Sequence, residues 1–167
     1  MISKTATSSK ILFIIRHGKA EAHRSNDKDR CLQPRALFDL EKTCKPLLEF
    51  NEPDLILCSS SRRTTETLDC IRTIHQKPYT AVTVSDDLYL ADCKRLKSCI
   101  ASQAEHLSCI WIIGHNPGLS DLYNLYLQTK PIVHIPTSGI AGLNWKNTAW
   151  CAISEQAGNA LYWKTPH

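Results

Sequence analysis

A chain of 167 residues that is 43% hydrophobic and 22% charged can bury a core without covalent staples, which excludes wholesale disorder. Its net charge of +4, from 20 basic and 16 acidic residues with no Lys/Arg-rich run, suits an anionic substrate and argues against nucleic acid as a partner. No uninterrupted apolar run exceeds the five residues of Ile11–Ile15, where a membrane helix needs roughly 20. The polar opening stretch, 1–10, lacks the apolar segment of a secretory signal, so a soluble, cytoplasmic protein is expected.

Residues 10–16 (KILFIIR) read as a short strand covered on both faces. A polar loop follows from Gly18 to about Gln33. Pro34 then opens a helix running to Phe50, with Leu37, Leu40, Leu47 and Leu48 inward, and Pro46 kinks or divides it. A second buried strand spans 54–58 (DLILC), a second helix 62–76 and a third strand 81–84. Residues 92–106 show helical spacing of Leu, Cys and Ile, and 109–114 (CIWIIG) form a fourth buried strand. A helix begins at Asn116-Pro117, a good cap followed by a favoured first residue. Beyond Thr137, the segments 140–145, 150–153 and 160–163 read as short strands separated by turn-prone KNT and EQAGN. The expectation is one α/β domain over 1–167. It is a three-layer α/β/α sandwich with a mostly parallel central sheet and an antiparallel C-terminal edge.

Eight cysteines occur without a CxxC pair, so zinc spacing is missing and free thiols in a reducing compartment are expected. A thiol phosphatase loop needs five residues between Cys and Arg. Only four separate Cys58 from Arg63, and Thr64 holds the required place.

Ligands of such a sheet gather at the carboxyl ends of its strands. There the chain places Arg16-His17-Gly18, then Ser59 to Arg63, then Gly114-His115-Asn116-Pro117-Gly118. Two arginines, two histidines and a helix start suit a phosphoryl group with a charge of about −2. An imidazole can also hold that group covalently. Singly, these pieces read as turns, a cap and a solvated helix start; three together at strand ends are hard to attribute to folding alone.

Those residues carry a resemblance. RHGKAE (Arg16 to Glu21) is similar to the RHG signature of the histidine phosphatase superfamily, the phosphoglycerate mutase-like fold. SSSRRTTET resembles its SPxxRxxxT segment, with Ser59, Arg63 and Thr67 at the matching places. IIGHNPGL resembles the second-histidine segment in the GHNPG form of small SixA-type phosphohistidine phosphatases. Arg30 and Leu32 fall where those proteins carry Arg-Pro-Leu, and the tail LYWKTPH resembles their final strand.

The resemblance implies that His17 attacks phosphorus and is transiently phosphorylated, while Arg16, Arg63 and His115 bind phosphoryl oxygens. Arg30 is an additional phosphate or substrate contact, and Gly18 lets the backbone approach the ligand. Asn116 caps the helix behind His115. His23, His75, His106, His134 and His167 match no family position. No metal or other cofactor is implied. The partner is a phosphohistidine-bearing protein, such as a histidine phosphotransfer domain in signal transduction, met by a monomer.

Ser60, Cys31, Gln33 and Ala36 depart from the usual residues and touch loop shape more than charge. Mutases and many phosphomonoesterases carry an acid two residues past a Leu after the third strand. Here Leu88 is followed by Tyr89 and Leu90, with Asp86 and Asp87 just upstream. An alkoxide leaving group needs a proton that acid catalysis supplies with about 10²–10⁴-fold effect, whereas imidazole leaves with less help. The missing acid therefore favours phosphohistidine. The alternatives are a small phosphomonoesterase of the same fold using Asp86, Asp87 or another carboxylate as its acid, and a non-catalytic phosphoprotein-binding module.

Overall fold

The computed structural model describes residues 9–22, 26–128 and 132–167; the opening stretch up to residue 8 and His23 lie outside the described residues. Strand β1 (Ser9–Arg16) runs through the middle of the molecule. Strand side chains alternate between faces, so Leu12 and Ile14 enter one apolar cluster while Phe13 and Ile15 enter another. All four are fully buried, which is why the run is continuously apolar.

Five more strands complete the sheet: β2 (Leu55–Ser59), β3 (Val82–Ser85), β4 (Cys109–Gly114), β5 (Ile140–Lys146) and β6 (Asn159–Lys164). Their order is β3-β2-β4-β1-β5-β6. The first four are parallel, and β5 and β6 add an antiparallel edge beside β1. Between strands lie the helices α1 (Arg35–Cys44), α2 (Arg62–His75), α3 (Cys93–Ala101) and α4 (Gly118–Leu127). Leu40 and Cys44 of α1 and Leu68 and Ile71 of α2 pack with Phe13, Ile15 and Trp111. On the opposite face, Leu96 and Ile100 of α3 and Leu119 and Leu122 of α4 pack with Leu12, Ile14 and Ile112. The result is the expected α/β/α layering.

The helix read over 34–50 is divided near Pro46, as its position implied: α1 ends at Cys44 and a 3₁₀ helix, Lys45–Glu49, continues it, because Pro46 has no N–H to offer an α-helix. Leu37 and Leu48, read as inward, are exposed. Two further local expectations change. Helix α3 stops at Ala101 instead of reaching 106. The buried ammonium of Lys10 takes the carbonyl oxygens of Glu105 and Leu107, so that segment is committed to capping β1. The strand read over 150–153 is a 3₁₀ helix, Trp150–Glu155. Its buried residues, Trp150 and Ile153, are three apart, matching three residues per turn, and the Trp150 indole donates to Leu107 O at 2.8 Å.

Helix α4 begins at Gly118 with Pro117 at its cap position, so Asn116 sits one residue before the place expected for it, yet its side chain still reaches the first turn. Its Oδ1 accepts from the Ser120 backbone N–H at 3.2 Å and from the Ser120 hydroxyl at 2.9 Å. The register pairs Arg16 with Gly114 and Ser59 with Ser85, so the carboxyl ends of the four parallel strands share one edge of the sheet.

Candidate active site

That edge gathers the expected side chains. His17 leaves β1 with its backbone pinned on both sides: its N–H donates to Gly114 O at 3.2 Å, and its carbonyl accepts from Ser138 at 3.0 Å. Its ring Nδ1 lies 2.7 Å from Gly18 O. A carbonyl can only accept, so Nδ1 carries the proton and Nε2 keeps a free lone pair. The Gly18 N–H donates to Thr67 Oγ1 at 3.0 Å, and that hydroxyl donates to Arg63 O at 2.6 Å. Arg63 and Thr67, one turn apart on α2, are thereby tied to the His17 loop, a physical reason for their four-residue spacing.

Arg63 is 2% exposed and His115 4% exposed. The His115 ring stands 5.2 Å from that of His17, centroid to centroid. Its Nε2 is 2.8 Å from the Ser59 hydroxyl; with that hydroxyl donating, the proton of His115 sits on Nδ1. Arg16 donates through Nη1 to Ile135 O at 2.9 Å and to His134 Nε2 at 3.1 Å. Arg30 donates to Glu21 O at 2.8 and 2.6 Å and to Asp27 Oδ1 at 3.0 Å. Arg16, His17, Asp27, Arg30, Arg63 and His115 all line one cavity of about 380 Å³, with the exposed Lys19 and Leu90 beside them.

Among the described residues, Arg16 Nε, Arg63 Nε and His115 Nδ1 are buried nitrogens without a hydrogen-bond partner. An unmade buried hydrogen bond costs about 1–3 kcal/mol, more for a charged group. Three of them around one cavity suit a ligand rich in acceptors, such as a tetrahedral oxyanion.

The charges act on the imidazoles in the same sense. Burial, then the positive fields of Arg63, Arg16 and Arg30, push the His17 pKa down to about 4, against the opposing pull of the Gly18 carbonyl. Burial, then His17 and Arg63, push His115 down to about 3. Both rings are therefore neutral at pH 7, as a nucleophile must be. Their folded pKa values lie below the ordinary 6.5, so the unfolded chain takes up these protons first. The related stability is complete above pH 6.5 and declines as the pH falls toward about 4 for His17 and about 3 for His115. A bound dianion reverses the field. NMR titration of the His17 ring is expected to give a midpoint near 4 in the free protein and a clearly higher one with saturating orthophosphate. A midpoint that phosphate leaves in place would contradict this arrangement.

Two expected residues sit differently from their reading. The space that a Gly18 side chain would fill is occupied by Ala36 Cβ, 2.9 Å from the ideal Cβ position, and by Leu32. Its lack of a Cβ thus admits the start of α1, and what Gly18 offers the site is its carbonyl. Arg30 reaches the cavity with Nε, Nη1 and Nη2 each held by the chain itself. Three residues were not legible as site residues. Asp27 binds Arg63, Arg30 and the Tyr89 hydroxyl, and His134 holds Arg16. The three-residue spacing from Asp27 to Arg30 was the one available signal for Asp27, and it is common at solvated surfaces.

The rival acids face elsewhere. Asp86 is exposed and paired with Lys28 at 2.6 Å and with Ser60, which hold its carboxyl below its ordinary pKa. Asp87 is exposed and paired with Arg95. Asp27 is the one carboxylate lining the cavity among the described residues. The Tyr89 hydroxyl, with Arg30 and Arg63, holds it well below the usual carboxylate range. Cys58 is fully buried and its thiol is pushed up to about 12 by that burial, which suits a packing residue.

The sequence matches no protein-family model and no curated protein. Solved structures do match. The protein assigned as phosphohistidine phosphatase SixA in Nakamurella multipartitia superposes with a TM-score of 0.82 at 20% identity, over 95% of this chain and 96% of that one. The protein histidine phosphatase SixA complexed with tungstate gives 0.78 at 19% identity, over 93% and 97%. The α-ribazole phosphatase of Shigella flexneri gives 0.61 at 19% identity, over 80% and 89%. With its strand order, its helical layers and these superpositions, the chain has the phosphoglycerate mutase-like fold of the histidine phosphatases.

Proposed function

We propose that the protein is a phosphohistidine phosphatase. It removes the phosphoryl group from a histidine of a signalling or carrier protein, such as a histidine phosphotransfer domain, through a phospho-His17 intermediate. The observation that carries the reading is the set of unpartnered buried nitrogens, Arg16 Nε, Arg63 Nε and His115 Nδ1, around a neutral His17. In the first step His17 Nε2 attacks phosphorus in line, its bond to phosphorus forms, and the substrate's N–P bond breaks. The imidazole leaves with the bonding pair. In the second, water attacks phosphorus, the Nε2–P bond breaks, and orthophosphate departs. Arg16, Arg63 and His115 donate to the equatorial oxygens as charge builds there, and Arg30 adds positive field at the cavity edge.

The choice of phosphohistidine over a phosphate ester follows from leaving groups. An ester needs a proton for its alkoxide, and the cavity's one carboxylate among the described residues is held ionised. The likeness to SixA structures supports the same choice. Eight free cysteines suit a reducing compartment such as the cytoplasm, and no helix among the described residues is long and apolar enough to cross a membrane.

The test compares phosphate release from a phosphorylated histidine phosphotransfer domain with release from small phosphate esters at matched concentrations. The phosphoprotein is expected to react with a kcat/KM at least about 10²-fold higher, the low end of what a missing acid costs. Faster ester hydrolysis would reject the reading.

A further inference from the structure

A carboxylate inside an anion cavity repels the ligand the cavity suits, so the presence of Asp27 needs a reason. Its contacts supply one. Arg63 Nη1 donates to the Asp27 backbone carbonyl at 2.7 Å and Nη2 to its Oδ2 at 2.9 Å. The same Oδ2 accepts from the Tyr89 hydroxyl at 2.7 Å, while Oδ1 accepts from Arg30 Nη1 at 3.0 Å. The Arg63 guanidinium also lies over the Tyr89 ring, 5.9 Å from its centroid, and that ring stands nearly perpendicular to the His115 ring, centroids 5.6 Å apart.

A guanidinium presents two forks, one at the Nη1–Nη2 end and one along the Nε–Nη2 edge. Asp27 takes the first with two atoms of a single residue. The Nε–H on the second remains buried and unpartnered. The cradle is itself fixed. Asn26 Oδ1 accepts from the Lys28 backbone at 3.1 Å, Lys28 reaches Asp86 at 2.6 Å, and Glu21 N–H donates to Cys31 O at 2.9 Å.

We propose that Asp27 is a positioning residue. By engaging the Nη1–Nη2 end of Arg63, it turns the Nε edge of that side chain to the phosphoryl oxygens. Tyr89 seats the Asp27 carboxylate through its hydroxyl. The inference rests on reading the cavity as a phosphoryl site, and it is separable from the identity of the substrate.

The decisive property is that positioning and charge predict opposite signs. Removing a negative charge from an anion cavity strengthens anion binding, whereas freeing Arg63 weakens it. Orthophosphate binding is measured by calorimetry on the wild type, Asp27→Ala, Asp27→Asn and Tyr89→Phe. Asp27→Ala is expected to bind phosphate about tenfold more weakly, despite its more positive cavity. Asp27→Asn, which retains one side-chain acceptor for Arg63, is expected to lose less than Asp27→Ala, although both remove the same charge. Tyr89→Phe leaves the charge alone and is expected to lose about threefold.

Thermal unfolding accompanies each measurement, and Tyr89→Phe decides the matter if Asp27→Ala does not fold. Phosphate bound equally or more tightly by Asp27→Ala, or unchanged affinity in Tyr89→Phe, overturns the proposal. A wild type that binds phosphate yet does not dephosphorylate the phosphotransfer domain rejects the proposed substrate and leaves this inference standing. A wild type without phosphate affinity overturns both.

Discussion

Replacing His17 by alanine is expected to abolish phosphate release, with kcat falling at least ~10⁴-fold, the scale seen when a covalent nucleophile is removed. The reason is positional as well as chemical. His17 is the side chain whose Nε2 lone pair is freed by a backbone acceptor on Nδ1, and burial with three arginines keeps that ring neutral. His115 is neutral too, but its Nε2 is engaged by Ser59, so it is not equipped to take over. Rapid quench with a phosphorus-labelled phosphotransfer domain gives a second readout. The wild type is expected to show transient label on the protein, stable to base and lost in acid, and His17→Ala none. Label persisting on the His17→Ala protein would assign the nucleophile elsewhere. Because His17 is half-buried at the cavity wall, its truncation is expected to leave the fold intact, checked by thermal unfolding.

Arg63→Ala is expected to lower kcat/KM by about 10³-fold, at the upper end for loss of one donor to developing charge. Arg63→Lys is expected to recover little. An ammonium restores the charge and cannot span Asp27 O and Oδ2 while also offering a second edge to phosphate. Steady-state kinetics and orthophosphate binding measured on both variants separate the cases. If Arg63→Lys approaches wild type in both, positive charge is what matters and the fork geometry is dispensable. The side chain is 2% exposed, so some stability is also lost in Arg63→Ala. Asp27 keeps Arg30 and Tyr89 as partners, which limits that loss.

How much could be read in advance differs between element types. Strands β1, β2 and β4 were legible because a strand buried on both faces must be apolar at every position, and few segments of this chain are. Arg16, His17, Arg63 and His115 were legible for a related reason. A parallel sheet exposes its carboxyl edge, so polar residues just past a buried strand are candidates without any knowledge of neighbours. The 150–153 segment misled because apolar residues three apart suit a 3₁₀ turn as well as an irregular strand, and only the carbonyl of Leu107 under Trp150 decides between them.

Residue order and local periodicity were enough for the α/β alternation, the buried strands and the placing of Arg16, His17, Arg63 and His115 near strand ends, since each is imposed by neighbours near in the chain; the roles expected of those four came from the resemblance to histidine phosphatases. The fold alone decided the role of Gly18, the engagement of Arg30, and the arrival of Asp27 and Tyr89 beside Arg63. Asp27 and Arg63 are 36 residues apart, and Asp27 and Tyr89 are 62 apart. Contacts of that span leave no period in a sequence; they exist because the loop after β1 and the turn after β3 are carried to the same edge of one sheet, where charge and hydrogen bonding then select the pairs.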